Sequence, residues 1–251
     1  MKTRERLDRL MAERRLVPSR DRAKALIMAG KVLVDENRVE KPGTQVRWNA
    51  QIRLKGEDCP FVSRGGLKLE RALAFFDIDP RGKKAMDVGA STGGFTDCLL
   101  QKGASQVFAI DVGYGQLAWK LQKDPRVVNL ERRNIRHLKS HEIGDLVDLI
   151  VVDTSFISVE KFLVRLCQMV RTWGDIVILV KPQFEVGKGK VGKGGIVRDS
   201  EEQIGVVKRI QHWAGEIGLR TIGVMESPLR GAKGNKEFFL HLVKVKESGC
   251  C

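Results

Sequence analysis

The sequence predicts an α/β fold, a mostly parallel sheet with helices on both faces, preceded by a small α+β domain. Three observations carry that prediction. Continuous apolar runs near 85–88, 107–110, 149–152 and 176–180 alternate with helical stretches, the pattern of parallel strands buried on both faces. A glycine-rich turn, Gly89-Ala90-Ser91-Thr92-Gly93-Gly94, follows the first of these runs and opens a helix through Leu99 and Leu100. The first 55 residues differ from the rest: fifteen Lys or Arg against seven acids leave +8 of the chain's +14 in under a quarter of its length.

Taken in order, residues 4–15 read as an amphipathic helix with Leu7, Leu10 and Met11 on one side. Ser19 caps a second helix from Arg20 to about Ala29, and Gly30 ends it. Lys31 to Val34 reads as a short strand, Asp35-Glu36-Asn37 as a turn, and 46–54 as further strand. Residues 56–62 form the linker, 63–245 the large domain, with a helix from about Gly65 to Phe76, and 246–251 a tail. Arg198 to about Ile217 is a helix, and two closing strands cover 221–225 and 238–243.

No run approaches the ~18 apolar residues of a membrane span, and the first residues lack a signal-peptide core, so the expectation is a cytoplasmic protein with no membrane partner. Five scattered cysteines without a C-x-x-C pair predict no metal site and no disulfide framework. The strong positive charge points to a polyanion as partner.

Four apolar runs finish in charge, at Asp87, Asp111, Asp153 and Lys181. In an open parallel sheet the ligand crevice lies beyond the carboxyl ends of the strands, so one rim receives four ionisable groups. The turn itself has Ser91 where a dinucleotide fold needs a second glycine for close approach of the pyrophosphate. Asp-x-Gly followed by small residues suits instead a ligand with a charged amino-acid head and no phosphate, such as S-adenosylmethionine. Asp87, Gly89, Ser91, Gly93, Gly94 and Phe95 are its candidate contacts. Asp111, 22 residues beyond Gly89, suits ribose hydroxyls, and Asn134 and Ile135 suit adenine.

Two resemblances sharpen this reading. Arg6-Leu7-Asp8, Ser19-Arg20-Asp21-Arg22-Ala23, Gly30-Lys31-Val32 and Lys41-Pro42-Gly43 resemble the S-four-like RNA-binding domain, with a longer, more acidic turn at Asp35-Glu36-Asn37. The resemblance implies contacts to structured RNA, with Arg6, Arg20, Arg22, Lys24 and Lys31 as candidates. Ser63-Arg64-Gly65-Gly66-x-Lys68, Asp87-x-Gly89-x-Ser91-x-Gly93-Gly94-Phe95, Asp153-x-Ser155-Phe156-Ile157-Ser158 and Lys181-Pro182-Gln183-Phe184-Glu185 resemble the TlyA (hemolysin A) family. Ser91-Thr92 and Phe95 depart from the wider FtsJ pattern of Ala-Pro and Trp, but stay within the TlyA version.

That resemblance implies a Rossmann-like class I methyltransferase domain and a ribose 2′-O-methyltransferase of ribosomal RNA, acting on cytidines with S-adenosylmethionine. It puts the family's Lys-Asp-Lys-Glu tetrad on Lys68, Asp153, Lys181 and Glu237. A ribose hydroxyl is a weak nucleophile and needs positioning and help with its proton. Lys181 is the candidate for that help, either as base or as charged donor to the developing alkoxide. Gly187 to Gly195 carries Lys188, Lys190 and Lys193 among five glycines, a loop suited to the phosphate backbone. The competing readings are a ribosome-binding factor that keeps the domain as a scaffold, and a membrane-active hemolysin. A monomer is expected.

Overall fold

The computed structural model describes residues 3–54, 59–187, 189, 191–192, 194–231 and 234–245. The chain forms two compact units, Met1–Cys59 and Pro60–Cys251.

The first unit runs β1 (Arg4–Arg6), α1 (Leu7–Glu13), α2 (Arg20–Met28), β2 (Val32–Val34), β3 (Asn37–Arg38), β4 (Gln45–Arg47) and β5 (Ile52–Leu54). Leu7, Leu10, Met11, Ala23 and Ile27 are fully buried between its two helices and its strands. Ser19 caps α2, accepting from the Arg22 N–H at 3.2 Å.

Three details depart from the sequence reading. Residues 4–6 are strand rather than helix, pairing antiparallel with β4 (Glu5 opposite Val46), because the helical apolar spacing begins only at Leu7. The stretch 46–54 is two strands in different sheets: β4 pairs with β1, β5 with β2, and Ala50 N–H closes the turn between them onto Arg47 O at 2.9 Å. The turn after β2 is no longer than usual. Val34 faces Asn37, so only Asp35 and Glu36 form it, both with positive φ (47° and 63°), the geometry of a two-residue hairpin turn.

The second unit runs α3 (Arg64–Phe75), β6 (Lys84–Val88), α4 (Gly94–Gln101), β7 (Gln106–Asp111), α5 (Trp119–Gln122), β8 (Val127–Glu131), β9 (Val147–Val152), α6 (Leu163–Met169), β10 (Val170–Val180), α7 (Pro182–Glu185), α8 (Ser200–Glu216), β11 (Leu219–Glu226) and β12 (Phe238–Lys244). Its seven-stranded sheet has the order β11-β12-β10-β9-β6-β7-β8. The pairs from β10 to β8 are parallel, as predicted. Strand β8 and the short α5, which the sequence reading did not assign, complete that edge.

Side chains alternate across the sheet with period two. Met86, Val88, Ile150, Val152, Ile176, Ile178, Leu240 and Leu242 form one buried face with Leu163 and Leu166 of α6 and Val206 and Ile210 of α8. On the opposite face Phe239 stacks against Phe95 of α4, centroids 6.2 Å apart, and His241 meets Phe76 at 5.1 Å.

One strand runs against the rest. β12 is antiparallel to both β10 and β11, with Phe238 opposite Val180. Its first residues therefore lie at the rim where β6, β9 and β10 finish. This reversal brings Glu237, just ahead of β12, beside groups that trail the parallel strands.

Candidate active site

The glycine turn shapes the floor of the site. Gly89 and Gly93 have φ of 87° and 92°, and Ser91 takes the left-handed region at 47°. A Cβ on Gly89 would stand 2.7 Å from the Asp153 carbonyl oxygen, so only glycine lets the β6 turn lie against the exit of β9. Ser91 is pinned rather than loose: its N–H donates to Asp111 Oδ2 at 2.8 Å and its Oγ meets Gln116 Oε1 at 3.1 Å. Asp111 Oδ1 accepts from the Gly113 N–H at 2.7 Å.

Two cavities meet at this turn and share Gly89, Ser91, Asp153 and Ser155. The first, about 440 Å³, has apolar walls including Val88, Ile110, Val112 and Ile135, with Asp111, Gln116 and Asn134 among its polar groups. Asn134 Oδ1 also accepts from the Arg136 N–H at 3.1 Å, capping a 3₁₀ turn at Ile135–His137. The second, about 470 Å³, is polar, and Lys68, Asp87, Asp153, Lys181 and Glu237 all line it.

The four tetrad candidates stand there as two ion pairs. Lys68 Nζ on α3 lies 2.5 Å from Glu237 Oε2, with side chains 12% and 3% exposed. Lys181 Nζ, just past β10, lies 2.5 Å from Asp153 Oδ1, just past β9, and donates to Ser155 Oγ at 3.0 Å.

Asp87 is fully buried. Its Oδ2 accepts from the Thr96 N–H (2.9 Å) and Oγ1 (2.7 Å), while Oδ1 has no hydrogen-bond partner. Burial pushes its carboxyl up to about 7, against the pull of the Thr96 hydrogen bonds and with help from the nearby Asp153 charge. An orphaned acceptor on this cavity fits a ligand carrying an ammonium group, and the neighbouring apolar cavity ending in Asp111 fits a nucleoside. The donor set therefore suits S-adenosylmethionine.

Of the other cofactor candidates, Gly94 and Phe95 line the polar cavity. Gly93 lines neither; it is the N-cap of α4, and a Cβ there would collide with Leu121 at 2.3 Å. Several lining residues were not singled out from the sequence. Gln116 lies in an unpatterned loop, and Arg230 belongs to the hairpin between β11 and β12. Phe156, 88% exposed with φ of 66°, leans on Phe184 at 4.8 Å.

Comparison with known proteins supports the same reading. A family model described as FtsJ-like methyltransferase matches residues 61–244, and one described as S4 domain matches residues 5–52. The 16S/23S rRNA (cytidine-2′-O)-methyltransferase TlyA of Mycobacterium tuberculosis is 48% identical over 243 residues, covering 96% of this chain and 91% of that protein. The chain belongs to the TlyA family. A second TlyA relative, the 23S rRNA (cytidine-2′-O)-methyltransferase of Campylobacter jejuni, is 33% identical, covering 73% of this chain and 71% of its own length. A solved hemolysin-type chain from Streptococcus thermophilus superposes with a TM-score of 0.77 at 40% identity, covering 98% of this chain and 90% of that one.

In this TlyA-family chain the basic candidates of the first unit are partly committed to each other's neighbours. Arg6 and Arg20 both bind the buried Asp8, at 3.0 Å each. Burial pushes the Asp8 carboxyl up, but the two guanidinium groups outweigh it and hold it below its ordinary value. Arg22 donates to Cys59 O at 3.1 Å and Lys24 to Asp21 at 3.0 Å; Lys31 is half-buried. Lys188, Lys190 and Lys193 lie outside the described residues. Among the described residues, no helix is long and apolar enough to cross a membrane.

Proposed function

We propose that this chain is an S-adenosylmethionine-dependent ribose 2′-O-methyltransferase acting on cytidine in ribosomal RNA. One observation carries the reading: two lysine–carboxylate pairs converge on a cavity that joins an apolar, nucleoside-sized one at the glycine turn. Both TlyA relatives are cytidine-2′-O-methyltransferases, one of 16S and 23S rRNA and the other of 23S rRNA.

Asp87 would receive the cofactor's ammonium group, Asp111 its ribose hydroxyls, and Val112, Asn134 and Ile135 its adenine. When bound, S-adenosylmethionine supplies a methyl group on a cationic sulfur. Transfer of that methyl group to the ribose oxygen would require the hydroxyl proton to leave. Lys181, held by Asp153 and Ser155, is a fixed ammonium that donates to the oxygen as negative charge develops on it. Asp153, the carboxylate beside that ammonium on the same cavity, accepts the hydroxyl proton directly, so Lys181 stays charged throughout. Lys68 and Glu237 hold the far wall of the cavity in place. Residues 1–55 dock the RNA, residues 63–245 carry the reaction, and the lysines at 188, 190 and 193 follow the phosphate backbone. The enzyme works as a monomer in the cytoplasm.

The test is methyl transfer from methyl-labelled S-adenosylmethionine to purified small and large ribosomal subunits, followed by digestion to nucleosides. Label in 2′-O-methylcytidine is expected. Label in a base, or none in RNA, would overturn the reading.

A further inference from the structure

The tetrad cancels its own charge. Lys68 is matched by Glu237 and Lys181 by Asp153, and Asp87 adds a carboxyl but no cation. A phosphodiester brought to this cavity must be held by other groups. Two further cations line it, Arg64 and Arg230.

Arg64 opens α3, is exposed, and makes no ion pair or side-chain hydrogen bond among the described residues. Arg230 stands in the hairpin that joins β11 to β12. Its guanidinium is 4.0 Å from Glu226 Oε1, at the limit of an ion pair, while Glu226 Oε2 takes Lys236 at 3.3 Å. The described residues on either side of Arg230 are held by backbone hydrogen bonds. Ser227 N–H donates to Glu237 O at 2.8 Å and Gly231 N–H to Asn235 O at 3.0 Å. A Cβ on Gly231 would stand 2.4 Å from Glu237 Oε1, so the backbone next to Arg230 lies against the tetrad carboxylate.

We propose that Arg64 and Arg230 form a two-sided clamp for the phosphodiesters flanking the target ribose. The proposal rests on the methyltransferase reading and adds to it a phosphate site distinct from the tetrad. Guanidinium groups bind phosphate oxygens bidentately, and phosphate contacts set register without reading the base. Here they set the position of the ribose whose hydroxyl faces Lys181. The first unit supplies affinity for the RNA as a whole; the clamp governs which atom of it reaches the cofactor.

The full-length chain tests this with RNA affinity measured over a salt series and with steady-state methyl transfer. Arg230→Gln and Arg64→Gln should each make the log–log salt slope shallower by about one, the loss of one phosphate contact. The KM for RNA should rise roughly tenfold, the effect of one charge-assisted hydrogen bond, with S-adenosylmethionine affinity unchanged. Arg230→Lys should keep the salt slope and recover only part of the KM, which separates phosphate contact from hairpin damage should the Gln variant fold poorly. Slopes and KM values unchanged in both Gln variants would overturn the clamp while wild-type turnover left the methyltransferase reading standing. A wild type that transfers no methyl group to RNA would instead remove that underlying reading.

Discussion

Lys68 and Glu237, 169 residues apart in the chain, meet at 2.5 Å on the rim of the sheet with almost no solvent between them. The pairing exists because β12 runs opposite to its neighbours and so begins where the others end. Removing one partner leaves the other buried and unmatched. Lys68→Met should therefore lower stability by about 3–5 kcal/mol at neutral pH, read as the shift in a urea midpoint. Lys68→Met combined with Glu237→Met should regain most of that stability and none of the methyl transfer. A double variant as unstable as the single one would show that the pair does not couple.

Asp87 gives a pH dependence of defined sign. Between its ordinary 3.8 and the value of about 7 set by burial, the folded chain holds a proton that the unfolded chain has released. Its contribution to stability is fully present below about 4 and is lost as the pH rises towards 7. A ligand ammonium favours the ionised carboxylate, so S-adenosylmethionine affinity should rise with pH up to about 7 and level off above it. In Asp87→Asn the affinity should be weaker and flat with pH, and the unliganded protein more stable at pH 8. Calorimetric titration from pH 5.5 to 8.5 checks both; a wild-type affinity flat across that range would contradict the assignment.

How much of this could be read from the residues depends on which interactions are local. Asp111, Asp153 and Lys181 were legible because an apolar run that stops at a charge marks a strand end by itself; Asp87 lies one residue inside β6 and is marked instead by the glycine turn that follows Val88. Lys68 and Glu237 were not: nothing in residues 236–238 announces an antiparallel strand, and both came from the family resemblance. Gln116 and Arg230 escaped because they sit in loops whose partners, Ser91 and the 227–237 hairpin, are set by tertiary folding. In the first unit, composition registered Arg6 and Arg20 as free positive charge. The fold spends part of each on Asp8: Arg6 reaches it two residues along, and Arg20 across twelve, a contact that no local pattern encodes.

That contact has its own consequence. Asp8 is fully buried, while its two arginines are about half exposed. Asp8→Ala should destabilise the first unit by about 2 kcal/mol, the loss of charged hydrogen bonds rather than of a buried pair. Because the Asp8 carboxyl is held below its ordinary value, its contribution is present above about pH 4 and disappears as the pH falls through the lowered value. RNA affinity should fall with it, whereas S-adenosylmethionine affinity should not move. Hydrogen exchange of residues 7–28 measures the first effect; protection equal to wild type would contradict it.

The proposed reaction depends on Lys181 acting at the ribose oxygen beside a bound sulfonium donor. Single-turnover methyl transfer by Lys181→Met, alongside calorimetric titration of the same protein with S-adenosylmethionine, tests that most directly. The expected rate is at least about 100-fold below wild type, with cofactor affinity preserved. A variant that binds the cofactor and still transfers its methyl group at the wild-type rate would contradict it.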